Sequence, residues 1–455
     1  MSLGRLTYDS ALSNAMAQPQ SIASTTNGML GYRSFVQEVK SARDSLSSGK
    51  AVEEGLIHRL LNGAAYEALA NNVDKSFRAK YGMFFSGKSI SDIVAEKILP
   101  FIASGKTLGD PACGAGDLVI SAYAKLFDLH GVNIEFAHQV GSRVFCADLH
   151  EELVVAAAER LKLLIASRLP KCETQIEPEL PNFQRMNYLE RTGFLREVDC
   201  VVMNPPFVEM DTPIGCSWTS GKVQQAAVFF AETLRQGKAH QEIVAILPDV
   251  LRSGSRYRKW RELISRCADI RSINVYGRFD SKTDVDVFIL HVTKKYEVAD
   301  KGEAWGAELS ENLSKCHRLE DEYEVSVGAL VPHRHLNKGG WCLYLEVANA
   351  PKNGETFVTK KRRFNGRLHQ GPFVVLRRTS SPSDGQRAVP TVITNKELIA
   401  VENHLIVVRP KNGETSACKA IAQHLRGSLV TDWLNTEIRC RHLTTAAVKK
   451  IPSGG

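Results

Sequence analysis

The chain has no run of about 18 consecutive apolar residues, so no stretch is long enough to cross a bilayer as a helix, and no membrane partner is expected. Its first twenty residues lack the apolar core of a secretory signal peptide. The ten cysteines stand singly, with no C-x-x-C pair. That pattern argues for reduced thiols in the cytoplasm and against structural zinc. His333-x-His335 has no Cys or acidic partner near it in sequence, so no metal site is expected. What is present is ordinary for a globular protein, with 43% hydrophobic and 24% charged residues. A length of 455 residues exceeds one compact core, so two or three domains are expected.

Charge is distributed unevenly. Residues 326–455 hold 20 Lys and Arg against 8 Asp and Glu, so they carry all of the formal net charge of +8 and more. A basic final third on a slightly acidic body suits a module that binds a polyanion.

Residues 1–79 read as an N-terminal helical segment, its first 30 or so residues rich in Ser, Ala, Asn and Gln and loosely ordered. From about 31 to 80 apolar residues recur at three- and four-residue spacing. No chemistry is visible there, and packing against the next domain is its expected job. Gly82 to Ser89 then matches the phosphate-loop pattern G-x-x-x-x-G-K-S/T letter for letter. That motif needs a strand before it and small residues within it. Charged residues precede it here, and Met83, Phe84 and Phe85 crowd it, which argues against nucleotide phosphate.

From 107 to 294 strands and helices alternate. Expected strands are Thr107–Ala112, Arg143–Ala147, Phe183–Met186, Val198–Met203, Glu242–Leu247, Ile270–Tyr276 and Val285–Thr293. Expected helices include Leu118–Leu129, Glu151–Arg168, Gln224–Gly237 and Arg256–Ala268. Such alternation implies an α/β fold with a mostly parallel sheet, whose ligands sit at the carboxyl ends of the strands.

Three strand ends carry chemistry. The first runs Gly109-Asp110-Pro111-Ala112-Cys113-Gly114-Ala115-Gly116-Asp117, where Gly114 and Gly116 permit a tight turn and close approach to bare backbone. Val119 stands where a dinucleotide fingerprint would place a third glycine. The second strand ends at Asp148, where a carboxylate can accept both hydroxyls of a ribose. Together they suit a nucleoside-containing ligand without a pyrophosphate. The fourth strand runs into Asn204-Pro205-Pro206-Phe207. Two prolines make a stiff corner whose amide side chain and carbonyl oxygens can hold the amino group of a flat heterocycle beside an aromatic ring.

Taken together, these residues resemble the S-adenosylmethionine-dependent adenine-N6 DNA methyltransferases, in the motif order of the gamma class. Asn204-Pro205-Pro206-Phe207 matches the family's D/N-P-P-Y/F catalytic tetrad, and Asp110 to Gly116 its D-P-x-C-G-x-G cofactor loop. Tyr81-Gly82-Met83-Phe84-Phe85-Ser86-Gly87 is similar to its upstream cofactor-side motif, with Ser86-Gly87 in place of Thr-Pro. Asn187 falls where an Asp usually meets the cofactor adenine. The resemblance covers roughly 80–295. It implies a seven-stranded, mostly parallel, Rossmann-like methyltransferase sheet over 80–300 and a basic target-recognition domain over 301–455. It also implies S-adenosyl-L-methionine held by Tyr81, Phe84, Phe85, Asp110, Pro111, Cys113, Gly114, Gly116, Asp117, Asp148 and Asn187. The substrate would be a flipped-out adenine of double-stranded DNA. Lys361, Arg362, Arg363, Arg367, Arg377 and Arg378 are the expected DNA contacts. A restriction endonuclease or specificity subunit is the partner it would suggest, in a bacterial cytoplasm and at the nucleoid. The same tetrad chemistry also serves RNA adenine or protein glutamine, and a non-catalytic DNA-binding subunit could keep the same fold.

Overall fold

The computed structural model describes residues 27–170, 173–174, 177–279, 285–299, 317–438 and 441–453. The expected loose segment over the first 30 or so residues lies outside them up to residue 26, and its last residues belong instead to a 3-10 turn at Asn27–Tyr32; the expected domain boundary near 300 also lies outside the described residues. The chain divides into two compact units, Met1–Leu251 with Arg258–Ala304, and Arg252–Tyr257 with Trp305–Gly455.

The first unit opens with four short helices, α1 (Arg33–Ser47), α2 (Glu54–Leu61), α3 (Ala64–Asn72) and α4 (Lys75–Tyr81), after a 3-10 turn at Asn27–Tyr32. Helix α5 (Lys88–Ala103) leads to β1 (Leu108–Asp110). It buries Ile90, Val94, Ile98 and Ile102, a four-residue rhythm that makes one apolar stripe. Then come α6 (Asp117–His130), α7 (Ile134–Arg143), β2 (Val144–Asp148), α8 (Glu151–Arg168), β3 (Phe183–Arg185) and β4 (Cys200–Met203). A small hairpin, β5 (Glu209–Asp211) and β6 (Lys222–Gln224), precedes α9 (Gln225–Gln236) and β7 (Glu242–Pro248). The helices α10 (Asp249–Ser253) and α11 (Arg258–Cys267) and the strands β8 (Ala268–Arg278) and β9 (Asp286–Lys294) follow.

Seven strands form one sheet in the order β3-β2-β1-β4-β7-β9-β8. Strands β1, β2, β3, β4 and β7 are mutually parallel, and β9 runs antiparallel between β7 and β8. The chain leaves β1 toward β2 and β3 on one side and returns to β4 on the other, so the switch point lies between β1 and β4. All four residues of β4 are buried, as its unbroken apolar run requires for a strand covered on both faces.

Helix α8 explains why the N-terminal helices exist. Ala157, Leu161, Leu164 and Ile165 join the core around the sheet. Leu153, Ala156 and Leu163 join a second core with Tyr32, Phe35, Val36 and Val39. One helix thus has two apolar faces, and α1 covers the outer one, tied to it by Arg33–Glu152 at 3.1 Å and Arg43–Glu159 at 2.6 Å.

Besides four strands given below, the second unit has β10 (Tyr323–Val327), β12 (Glu355–Thr356), β14 (His369–Gln370), β16 (Pro390–Ile393) and β17 (Leu398–Val401), and its strands form a five-stranded and a four-stranded sheet. The strands that matter below are β11 (Gly340–Leu345), β13 (Lys361–Phe364), β15 (Phe373–Arg377) and β18 (Leu405–Pro410). Alternation along β15 and β18 shows how the unit is layered. Phe373, Val375, Leu405 and Val407 enter a core with Leu345, Ile399 and Val401 of the four-stranded sheet. Val374, Leu376, Ile406 and Val408 enter another with the C-terminal helical residues Ile421, Leu425 and Leu434.

Candidate active site

The site forms where β1, β2 and β4 end. After β1 the chain turns through Gly114 (φ 52°) and Gly116 (φ 86°), both in the left-handed region that glycine enters without penalty. The loop is pinned to β2, since Cys113 N–H donates to the Ala147 carbonyl at 2.9 Å. Gly114 N–H donates to Asp148 Oδ2 at 3.0 Å, and Asp148 Oδ1 accepts from His150 N–H at 3.0 Å. Each oxygen keeps further acceptor capacity for a ligand hydroxyl. Burial pushes the Asp148 carboxyl up to about 6 and that of Asp110, which accepts from Ala112 N–H, up to about 8. Pro111 and Cys113 are buried beneath the turn.

Residues 81–86 span all three strand ends, which explains the false phosphate loop. Helix α4, not a strand, feeds the loop through Gly82 in the left-handed conformation, and Lys88 is paired with Asp92 at 2.6 Å. Tyr81 stands edge-on to His150, two residues past Asp148, with ring centroids 4.9 Å apart. Phe85 lies on the glycine loop, where a Cβ on Gly114 would sit 3.1 Å from its ring. Gly82 packs on the Asn204–Phe207 corner, where a Cβ would meet Val208 at 2.9 Å and Pro206 at 3.0 Å. Phe84 stacks on Phe207 (6.2 Å, 24°), and Phe279, following β8, stands edge-on to both rings.

At that corner Asn204 Nδ2 donates to the Phe84 carbonyl at 3.1 Å and lies 3.0 Å from Ser86 Oγ. A carbonyl only accepts, so the amide is oriented: its NH2 faces residues 84–86 and its oxygen faces away. Asn204 Oδ1 is buried and has no partner among the described residues. It is a positioned acceptor, ready for a donor that none of them supplies.

Two expected cofactor residues have local duties. Asp117 is paired at 2.7 Å with Arg160, which also donates to the carbonyls of Leu60, Leu61 and Ala115. Asn187 caps a 3-10 turn, accepting from Leu189 N–H and donating to Glu190 at 2.7 Å. Sequence reasoning passed over Tyr32, His150, Arg160 and Phe279. No short motif marks them, because each is defined by what it meets from distant parts of the chain.

Of the six expected DNA contacts in the second unit, Lys361, Arg363 and Arg367 are exposed. Arg363 lies over the exposed Trp341 ring at 5.2 Å. The other three are half-buried and hold backbone carbonyls: Arg362 those of Pro332 and His335, Arg377 those of Val347 and Ala350, and Arg378 that of Asn403. His335 Nδ1 accepts from Val331 N–H. No group of three or more metal-ligating side chains is found among the described residues.

No family model and no curated protein matches the chain. Among solved structures it is similar to the type IIG restriction endonuclease BpuSI (12% identity, TM-score 0.47), over 95% of this chain and 72% of that one. It is also similar to the type IIL restriction-modification enzyme MmeI in complex with DNA (10%, 0.47), over 89% of this chain and 70% of that one. A third is a class I S-adenosylmethionine-dependent methyltransferase from Listeria monocytogenes, described as putative (15%, 0.40), over 60% of this chain and 85% of that one. None of the three reaches a TM-score of 0.5.

Proposed function

We propose that the chain is an S-adenosylmethionine-dependent DNA methyltransferase acting on the exocyclic N6 amine of adenine. The observation that carries the reading is the oriented, unpartnered Asn204 Oδ1 at the carboxyl end of β4. The residues present fit the cofactor: a carboxylate for ribose hydroxyls at Asp148, bare backbone at Gly114, and the rings of Tyr81 and Phe85 beside them.

When bound, S-adenosylmethionine supplies an electrophilic methyl group on a sulfonium. The chain's own residues prepare the amine. An adenine amino nitrogen is a weak nucleophile because its lone pair is delocalised into the ring. Asn204 Oδ1 accepts one amino hydrogen and the Pro205 carbonyl the other, so the lone pair is drawn back onto nitrogen and aimed. The clamp from Phe84 and Ser86 sets that geometry before the base arrives, so no reorganisation is needed at reaction. Phe207, backed by Phe84 and Phe279, offers a flat face to a base that has left the duplex. The second unit would be the target-recognition domain, with Lys361, Arg363 and Arg367 on phosphate. Pairing with a restriction endonuclease or specificity subunit belongs to the same proposal, as does a cytoplasmic, DNA-bound location.

The test is incubation of the full chain with methyl-labelled cofactor, mixed DNA, RNA and protein, followed by nucleoside analysis. N6-methyladenine in DNA is the expected product. Label in RNA or in protein glutamine instead would overturn the substrate, and no transfer to any of the three would overturn the activity.

A further inference from the structure

Strand β11 carries Trp341, Leu343 and Leu345 on one face. Leu345 enters the core between the two sheets and Leu343 packs against it, but Trp341 lies past the end of that core and is 66% exposed. Trp341 pairs with Arg363 across β11 and β13, so both side chains leave the same face. The guanidinium lies over the indole at 5.2 Å. One face of the ring is thus covered by a cation, and the other is open.

The surroundings carry one sign of charge. No Asp or Glu occurs from Val325 to Leu345 or from Thr356 to Ser383. Lys361 stands one pair along the same face, opposite Leu343. The loop over 331–339 runs beside β13, where Asn337 Oδ1 accepts from Arg363 N–H at 2.9 Å, and it presents Arg334 and Lys338 to solvent. Arg334, Lys338, Lys361, Arg363 and Arg367 have no carboxylate partner among the described residues, whereas Lys360 is paired with Glu346 at 2.6 Å. Such cations around an open aromatic face suit a partner that offers negative charge and flat rings together. An acidic peptide brings the charge without the rings; a nucleic acid brings both. We propose that Trp341 stacks the open face of its indole on a nucleobase of bound DNA, while Lys361, Arg363 and Arg367 hold the phosphates around it; this rests on the reading of the second unit as the domain that binds DNA. Every base has a π face, so the contact adds affinity without selecting sequence. In a closed duplex each base is covered by its neighbours, so the contact calls for a base or step that has been opened.

The test is titration of the full chain, Trp341→Ala, Trp341→Phe and Trp341→Leu with a mixed-sequence duplex carrying one unpaired base, over a range of salt. Trp341→Ala should weaken binding by about five- to hundredfold at each salt concentration, as for the loss of one base stack. Its log–log slope against salt should stay that of the unsubstituted chain, because no charge is removed. Trp341→Phe should keep more affinity than Trp341→Leu, since only the first retains a π face. The melting temperature of Trp341→Ala should hold, because the ring lies outside the cores. No loss of affinity, a shallower slope, equal binding by Trp341→Phe and Trp341→Leu, or a lower melting temperature would overturn the role of Trp341 alone. So would a Trp341→Ala chain that sediments as a smaller species than the unsubstituted one, since a second copy would then be what covers the ring. Failure of the unsubstituted chain to bind the duplex would instead overturn the DNA reading on which the proposal rests.

Discussion

At the scale of single residues, Asn204 and Asp148 have separable duties. Asn204→Ala removes the aimed acceptor and leaves the glycine loop untouched. Loss of one preorganised contact costs about 2.7–4 kcal/mol of barrier, so methyl transfer should fall by roughly 10²–10³ or more. Cofactor affinity, measured by titration, should stay close to that of the unsubstituted chain; unimpaired turnover would refute the assignment. Asp148 sets a pH dependence. In the proposed site ribose hydroxyls would donate to the carboxylate, so cofactor affinity should rise as pH climbs through about 6 and level off above it. The neighbouring groups leave that window clear, because burial lowers His150 to about 4 and raises Asp110 to about 8. Asp148→Asn should weaken binding and remove the step, as titrations across this range would show. The stability term has the opposite sign. The folded pKa lies above the ordinary carboxyl value, so the folded state holds its proton longer, and Asp148's contribution is lost as pH rises through about 6. Both residues were legible in sequence, since a strand end followed by a turn former is a local pattern. The direction of the Asn204 amide was not, because its acceptors come from Phe84 and Ser86, about 120 residues earlier.

At the scale of elements, β13 is the edge of its sheet, and alternation along it divides the basic run in two. Lys361 and Arg363 are exposed, while Arg362 turns to the other face and holds carbonyls of 332 and 335. Replacing Lys361, Arg363 and Arg367 with Ala should weaken DNA binding. It should also flatten its dependence on salt, by roughly 0.9 in the log–log slope for each phosphate contact removed. Arg377→Ala should act differently, lowering the melting temperature with little change in that slope, because its guanidinium satisfies the Val347 and Ala350 carbonyls. An unchanged slope in the triple variant would move the DNA face elsewhere. The segment over 82–89 makes the complementary point. Its letters match a phosphate loop, but a helix feeds it and Phe84 and Phe85 crowd it, so packing overrides the pattern.

At the scale of the whole molecule, each unit closes its own cores, and α8 joins the N-terminal helices to the sheet within the first. Leu163 sits in the outer of its two cores. Leu163→Ala should cost about 2–5 kcal/mol of that unit's stability, read by calorimetry as a lower melting temperature. A negligible shift would mean the N-terminal helices are not integral to the unit. The amino-acid sequence by itself determined the alternating α/β layout, the glycine turn, the acidic strand end and the rigid corner after β4. Each of these follows from hydrophobic period or from glycine and proline backbone restrictions, which act over a few residues. Tertiary structure alone decided which arginines hold carbonyls, which way the Asn204 amide points, and that Tyr32 packs behind the glycine loop. Those outcomes depend on carbonyls and rings brought from far along the chain, and no short-range pattern encodes that meeting.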